Sequence, residues 1–193
     1  MKKIRNTFLG YLAGCLLLSG GSVNAEHLVI KGSDTMGDFL VPRLVEAFQE
    51  KHPEVTFDIV AEGSAMGIDA LIDLGIDLAI SSRRARPVEY SSARARGVVL
   101  KPTIVCYDGV SVIVNDSLPV HALTLRDLQQ IFTGEVREWS KVANAPGKIT
   151  LYTRYATSGT YFDFTVLAMN RREYALSSRK LASNRRIVSE VAN

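Results

Sequence analysis

The chain has 193 residues, 47% of them hydrophobic and 22% charged, with 23 Lys and Arg against 20 Asp and Glu. This is an ordinary globular composition. The positive excess sits in the first 25 residues, where Lys2, Lys3 and Arg5 precede an apolar run from Phe8 to Leu18 and small residues ending in Val23-Asn24-Ala25.

That order of features predicts a secretory signal peptide cut after Ala25. The apolar run is too short to span a bilayer comfortably. Leu12-Ala13-Gly14-Cys15 also matches a lipobox, which would leave a lipidated Cys15. It ranks second, because Leu16-Leu17-Leu18 continue the apolar run and bury that cysteine inside it. Without the leader, basic and acidic residues balance, so no basic face for nucleic acid is expected. Cys106 is then the sole cysteine, which excludes an intrachain disulfide and a cysteine metal cluster. Its neighbours Ile104 and Val105 predict that it is buried as a small hydrophobe.

The elements alternate. His27 to Lys31 reads as a strand running into Gly32-Ser33-Asp34-Thr35. A helix follows, with Phe39, Leu40, Leu44, Val45, Ala47 and Phe48 at helical spacing and Pro42 near its start, where proline is tolerated. Val55 to Ala61 is a second strand, ending in Glu62-Gly63-Ser64 before a helix from Ala65 to Leu74. The pattern repeats with a strand at Asp77 to Ile80, the loop Ser81-Ser82-Arg83 and a helix after Pro87. Val98 to Val114 reads as two extended segments broken at Tyr107-Asp108-Gly109. Thr124 to Phe132 is a helix with Thr124 as its N-cap. Ile149 to Thr153 is a strand leading through Arg154 to Ser158-Gly159-Thr160 and a helix to about Asn170. Residues 171–193 are charged and Ser-rich, with a weak last helix from Arg185 to Val191. Short β-branched runs alternating with amphipathic helices predict an α/β architecture.

Three of these strands deliver the chain to a Gly and Ser/Thr loop that opens a helix: Gly32-Ser33-Asp34-Thr35, Gly63-Ser64-Ala65 and Ser158-Gly159-Thr160. A helix start offers unpaired amides and partial positive charge, glycine lets the backbone approach closely, and hydroxyls add donors. Any one loop is explained as a helix cap. Three together, with Arg154 four residues before Ser158, point to an anion cradle in which the guanidinium supplies a forked pair of donors.

These motifs resemble the periplasmic phosphate-binding family, the substrate-binding components of phosphate ABC transporters. Arg154-x-x-x-Ser158-Gly159-Thr160 is similar to the family's phosphate loop. Gly32-Ser33-Asp34-Thr35-Met36 resembles its first binding loop, and Gly63-Ser64-Ala65-Met66-Gly67 its second. Leu125 to Gly134, with Trp139 following, resembles a stretch of its second lobe. The resemblance implies a type II periplasmic-binding-protein fold: two α/β lobes, here residues 26–106 and 107–193, closing about a hinge with one crossover at Tyr107-Asp108-Gly109. It further implies capture of inorganic phosphate between the lobes by Ser33, Thr35, Ser64, Ser82, Arg154, Ser158, Gly159 and Thr160. Delivery would be to an ABC permease in the inner membrane. A periplasmic location, no cofactor, no metal and a monomeric full-length form are also expected.

Two departures from the family pattern matter. The aspartate that accepts the proton of hydrogen phosphate is replaced by Ser82, followed by Arg83, so Asp34 and Asp108 become the candidate proton acceptors. Their ordinary roles are helix cap and turn residue. The run Arg83-Arg84-x-Arg86 reads as a solvated charged face, ahead of the alternative that it extends the positive field of the cleft. Family members also continue well past Asn193, so the C-terminal part is expected to be missing and sheet edges to be exposed. Alternatives left open are a binding protein or sensor for sulfate, molybdate or tungstate, and a non-functional truncated product. An enzyme lacks support: there is no Gly-x-Ser-x-Gly elbow around Ser158, and His27, His52 and His121 read as surface residues. No nucleotide-binding Gly-x-x-x-x-Gly-Lys motif occurs.

Overall fold

The computed structural model describes residues 26–193, so the signal peptide and the Cys15 alternative lie outside the described residues. Strand β1 (His27–Gly32) is followed by a single turn, α1 (Asp34–Gly37), and by α2 (Leu40–Gln49). Then come β2 (Thr56–Ala61), α3 (Ser64–Ile72), β3 (Leu78–Ile80) and α4 (Pro87–Ala95). Both β2 and β3 pair in parallel with β1, giving the order β2-β1-β3. Parallel pairing follows from the helical crossovers, which return the chain to the same end of the sheet before each strand. All three strands therefore release their loops at one edge, and the chain diverges to opposite sides of β1, the arrangement in which open α/β sheets place ligands.

Helix α3 lies unusually close to β1. A Cβ on Gly67 would stand 2.3 Å from the Lys31 carbonyl oxygen. Only glycine permits this approach, which fixes the start of α3, and with it Ser64, against the end of β1. Ile68 and Ile72 on the inner face of α3 pack on Ala93 of α4 to form the buried core of this lobe.

The second lobe contains α5 (Leu125–Phe132), β4 (Tyr152–Arg154), α6 (Gly159–Leu167), β5 (Arg179–Leu181) and α7 (Asn184–Ala192). Thr124 caps α5 as its sequence suggests: its hydroxyl accepts from the Asp127 amide while the Asp127 carboxylate accepts from the Thr124 amide. The Thr124 hydroxyl, which donates to the same carboxylate at 2.7 Å, and then the Thr124 amide hold the exposed Asp127 carboxyl below its ordinary range. Ile131, Trp139 and Ala145 form one core cluster, and Phe164, Ala168, Met169 and Tyr174 another, with Phe132 packed against both. Burial, and less so Tyr161, pushes the Tyr174 hydroxyl upward.

Two expectations fail here. Residues 98–114 have the β-branched content of strands but form no ladder among the described residues. Propensity favours an extended backbone, whereas a strand also needs a neighbour to receive its amides and carbonyls. Cys106 lies on this stretch and is exposed rather than buried, as are its apolar neighbours Ile104 and Val105. Conversely, β5 was not foreseen. Its Arg-Lys-Leu sequence carries no strand pattern, and it exists because β4 supplies a parallel partner in the register Tyr152↔Arg179 to Arg154↔Leu181. No helix among the described residues is long and apolar enough to cross a membrane.

Candidate anion site

The loops after β1, β2 and β3 meet the loop between β4 and α6. Thr35 Oγ1 stands 3.4 Å from Thr160 Oγ1. Ser64 Oγ stands 3.3 Å from Ser82 Oγ and accepts from the Ser82 amide at 3.2 Å. The Ala65 amide donates to the Thr157 carbonyl at 3.1 Å, tying the second loop directly to the loop that precedes α6. Gly159 runs against the hydroxyls of both Ser64 and Ser82. Every loop singled out in the sequence therefore reaches this junction, and Ser33, Ser64 and Ser158 on those loops are almost completely buried.

Helix capping accounts for only part of this. Ser158 Oγ does accept from the Tyr161 amide, at 3.5 Å. Ser33 precedes α1 but makes no side-chain cap bond, and its buried hydroxyl has no partner. Among the described residues four buried side-chain atoms lack partners, and two of them, Ser33 Oγ and Asp34 Oδ2, belong to this first loop. Buried polar atoms are almost always satisfied, and helix capping satisfies neither of these two.

Arg154 and Asp34 form a buried ion pair, Nη2 to Oδ1 at 2.8 Å, with side chains 4% and 7% exposed. Arg154 Nη2 also donates to the Ala182 carbonyl at 2.6 Å, Nη1 to Asn184 Oδ1 at 2.6 Å, and Nε to the Leu181 carbonyl at 3.3 Å. A guanidinium has five N–H donors, so these bonds leave one, on Nη1. The expected fork facing two ligand oxygens is thus corrected: the turn from β5 into α7 claims most of it. Asn184, which lies just before the weak last helix expected from Arg185, also donates from Nδ2 to Thr35 Oγ1 at 3.1 Å.

Arg83 overturns its solvated reading. Its side chain is 3% exposed and chelates Glu89 through Nη1 at 2.8 Å and Nη2 at 2.6 Å. It lies 5.7 Å from the Phe162 ring centroid on α6, joining the Ser82 loop to the second lobe. Burial alone would raise the Glu89 carboxyl. The bonds from Arg83, the Arg86 amide and the Arg86 side chain outweigh it and hold that group down at about 2. Asp163 beside them is pushed up by burial, partly offset by Arg83. Only Arg84 of the run remains an ordinary surface cation.

Asp108 is not part of the cluster. It lies on the exposed 98–114 stretch, its carboxylate accepting from the Gly109 amide at 2.8 Å. His27 bonds Thr56 and Asp58, and His52 lies beside Glu54, so these rings are engaged at the surface. No group of three or more potential metal ligands occurs among the described residues.

Two parallel-sheet lobes whose hydroxyl-bearing loops face one another around a buried arginine have the architecture of a periplasmic-type binding protein. The chain belongs to the PBP superfamily, whose domain model matches residues 19–187. It is 30% identical over 115 residues to phosphate-binding protein PstS 2 of Streptococcus pneumoniae, covering 60% of this chain and 37% of that protein. It is 29% identical over 157 residues to phosphate-binding protein PstS of Bacillus subtilis, covering 81% of this chain and 51% of that one. The chain thus spans about half or less of the length of these relatives. Among solved structures, a Clostridium perfringens phosphate ABC transporter substrate-binding protein with bound phosphate superposes with a TM-score of 0.76 and 27% identity, over 86% of this chain and 66% of that one. A phosphate transport receptor from Vibrio cholerae gives 0.66 and 27%, over 86% and 67%.

Proposed function

We propose that this chain is the exported phosphate-capturing component of an ABC importer, binding without covalent chemistry and passing its ligand to a membrane permease. The observation that carries this reading is the meeting of the loops that bear Thr35, Ser64, Ser82, Gly159 and Thr160, with buried Arg154 tied to the first of them through Asp34 and Asn184. Residues 26–106 and 107–193 act as the two lobes, and the anion sits where their loops meet. In the closed cluster, hydroxyls bond one another; a tetrahedral anion exchanges the Thr35–Thr160 and Ser64–Ser82 contacts for bonds to its own oxygens. The free Nη1 proton of Arg154 and the first-turn amides of α3 and α6 add to them. Bonds to a charged partner contribute on the order of 1.5–3 kcal/mol each. A few of them support a dissociation constant near ~1 μM after the cost of closure.

Asp34 takes the part of the missing aspartate. Its Oδ1 is held by Arg154, and its buried Oδ2 has no partner. An ionised carboxylate can only accept, so Oδ2 suits an anion that still carries a proton and repels one that does not. Hydrogen phosphate fits; sulfate does not.

The test is calorimetric titration of the purified protein with phosphate at pH 7, with sulfate as competitor and Arg154→Ala as control. Saturable binding, lost in the variant and insensitive to sulfate, is expected. Binding of sulfate, molybdate or tungstate in preference to phosphate would replace this reading with a receptor for another oxyanion. Turnover of a chromogenic phosphate ester would replace it with an enzyme.

A further inference from the structure

Asn184 joins the two lobes through both ends of one amide. Its Oδ1 lies 2.6 Å from Arg154 Nη1 and its Nδ2 lies 3.1 Å from Thr35 Oγ1. Because a guanidinium can only donate, the oxygen of Asn184 must face Arg154, and the orientation of the amide is fixed by chemistry. The nitrogen must then donate to Thr35. A hydroxyl that receives a proton on that side directs its own proton elsewhere, and the neighbour in reach is Thr160 Oγ1 at 3.4 Å, the contact that the anion would replace. Since Asp34 is the residue before Thr35 and also binds Arg154, the four side chains close a ring between the lobes.

We propose that Asn184 is a positioning residue that sets the polarity of the site: it holds Thr35 as a hydrogen-bond donor toward the anion while aiming the guanidinium of Arg154. This rests on the phosphate-binding reading above. The reason for an amide rather than a carboxylate is specific. Asp at position 184 would still satisfy Arg154, but it would accept the Thr35 proton and turn that hydroxyl away from the ligand. Ala would release both partners.

Phosphate binding is measured by titration calorimetry on the wild type, Asn184→Asp, Thr35→Val, Thr35→Ser and the double variants that combine Asn184→Asp with each Thr35 change, with melting temperature read alongside. Asn184→Asp is expected to weaken binding at least tenfold at an unchanged melting temperature. In the Thr35→Val background the same change is expected to cost less than threefold, whereas in Thr35→Ser, which keeps the hydroxyl, the full loss returns. Simple charge repulsion would persist in every background, so equal losses in all three overturn the proposal, as does wild-type affinity in Asn184→Asp. The side-chain amide resonance of Asn184 is followed without ligand in wild type and Thr35→Val. A shift supports the bridge even if the wild type binds no phosphate, in which case the ligand assignment fails alone. No shift overturns the bridge.

Discussion

The backbone of Gly159 passes so close to Ser82 that a Cβ there would stand 2.3 Å from the serine hydroxyl, and 2.6 Å from that of Ser64. Neither serine has a long side chain that could swing away. Gly159→Ala must therefore push the second-lobe loop off the first lobe. Titration calorimetry is expected to show phosphate affinity reduced at least tenfold with secondary structure retained; unchanged affinity would mean that the two loops separate when the ligand enters.

Asp34→Asn tests anion selection. The amide keeps an oxygen for Arg154 but replaces the unpartnered acceptor with a donor. Phosphate should weaken, and the ratio of sulfate to phosphate affinity should rise at least tenfold in competition titrations. A variant that still rejects sulfate would remove Asp34 from the role of proton acceptor.

Arg154→Ala strips the partner from a buried carboxylate and from three further acceptors. Breaking such a buried pair costs about 3–5 kcal/mol. Urea unfolding should show a loss of that size, and the Asp34→Asn, Arg154→Ala double variant should lose less than the sum of the single changes. Arg154→Lys should not restore binding, because one ammonium cannot serve acceptors spread over the plane of a guanidinium.

Glu89 sets an acid limit on stability. Its carboxyl is held at about 2 in the folded chain against 4.5 as a free side chain. A depressed carboxyl stabilises the fold above its unfolded pKa and loses that contribution as pH falls through the folded one. The stability gap between wild type and Glu89→Gln should be flat above about pH 5 and shrink between about pH 4.5 and 2, by on the order of 2–3 kcal/mol. A gap independent of pH would show that the pair with Arg83 adds nothing through its charge.

The fold was legible where one lobe's local chemistry sufficed. The strands at His27 and Val55, the helices starting near Ser64 and after Pro87, and the Thr124 capping box all lie close to where their residue patterns place them. The loops of the site were legible because Gly beside Ser or Thr at the end of a strand is a local signal. What stayed hidden depends on distant partners. Arg83 resembles any surface arginine until Glu89 folds beneath it, and Arg179-Lys180-Leu181 is a strand only beside β4. Asn184 follows Ser183, whose hydroxyl accepts from the Arg186 amide, so in sequence the pair is a helix start and nothing more. The apolar 98–114 stretch misled in the other direction, since its composition is that of a strand but no ladder partner lies beside it among the described residues.

The acceptors that aim Arg154 come from the turn between β5 and α7, almost at the end of the chain, while its carboxylate partner lies 120 positions earlier. A chain synthesised only as far as Leu167 would contain every hydroxyl of the site, the arginine and its Asp34 partner, yet none of the three acceptors at residues 181–184 that complete its orientation. The guanidinium is therefore fully aimed only when the turn from β5 into α7 is in place. A ligand held there favours the conformation in which that turn is docked by mass action, about 2.7 kcal/mol at a hundred times its dissociation constant.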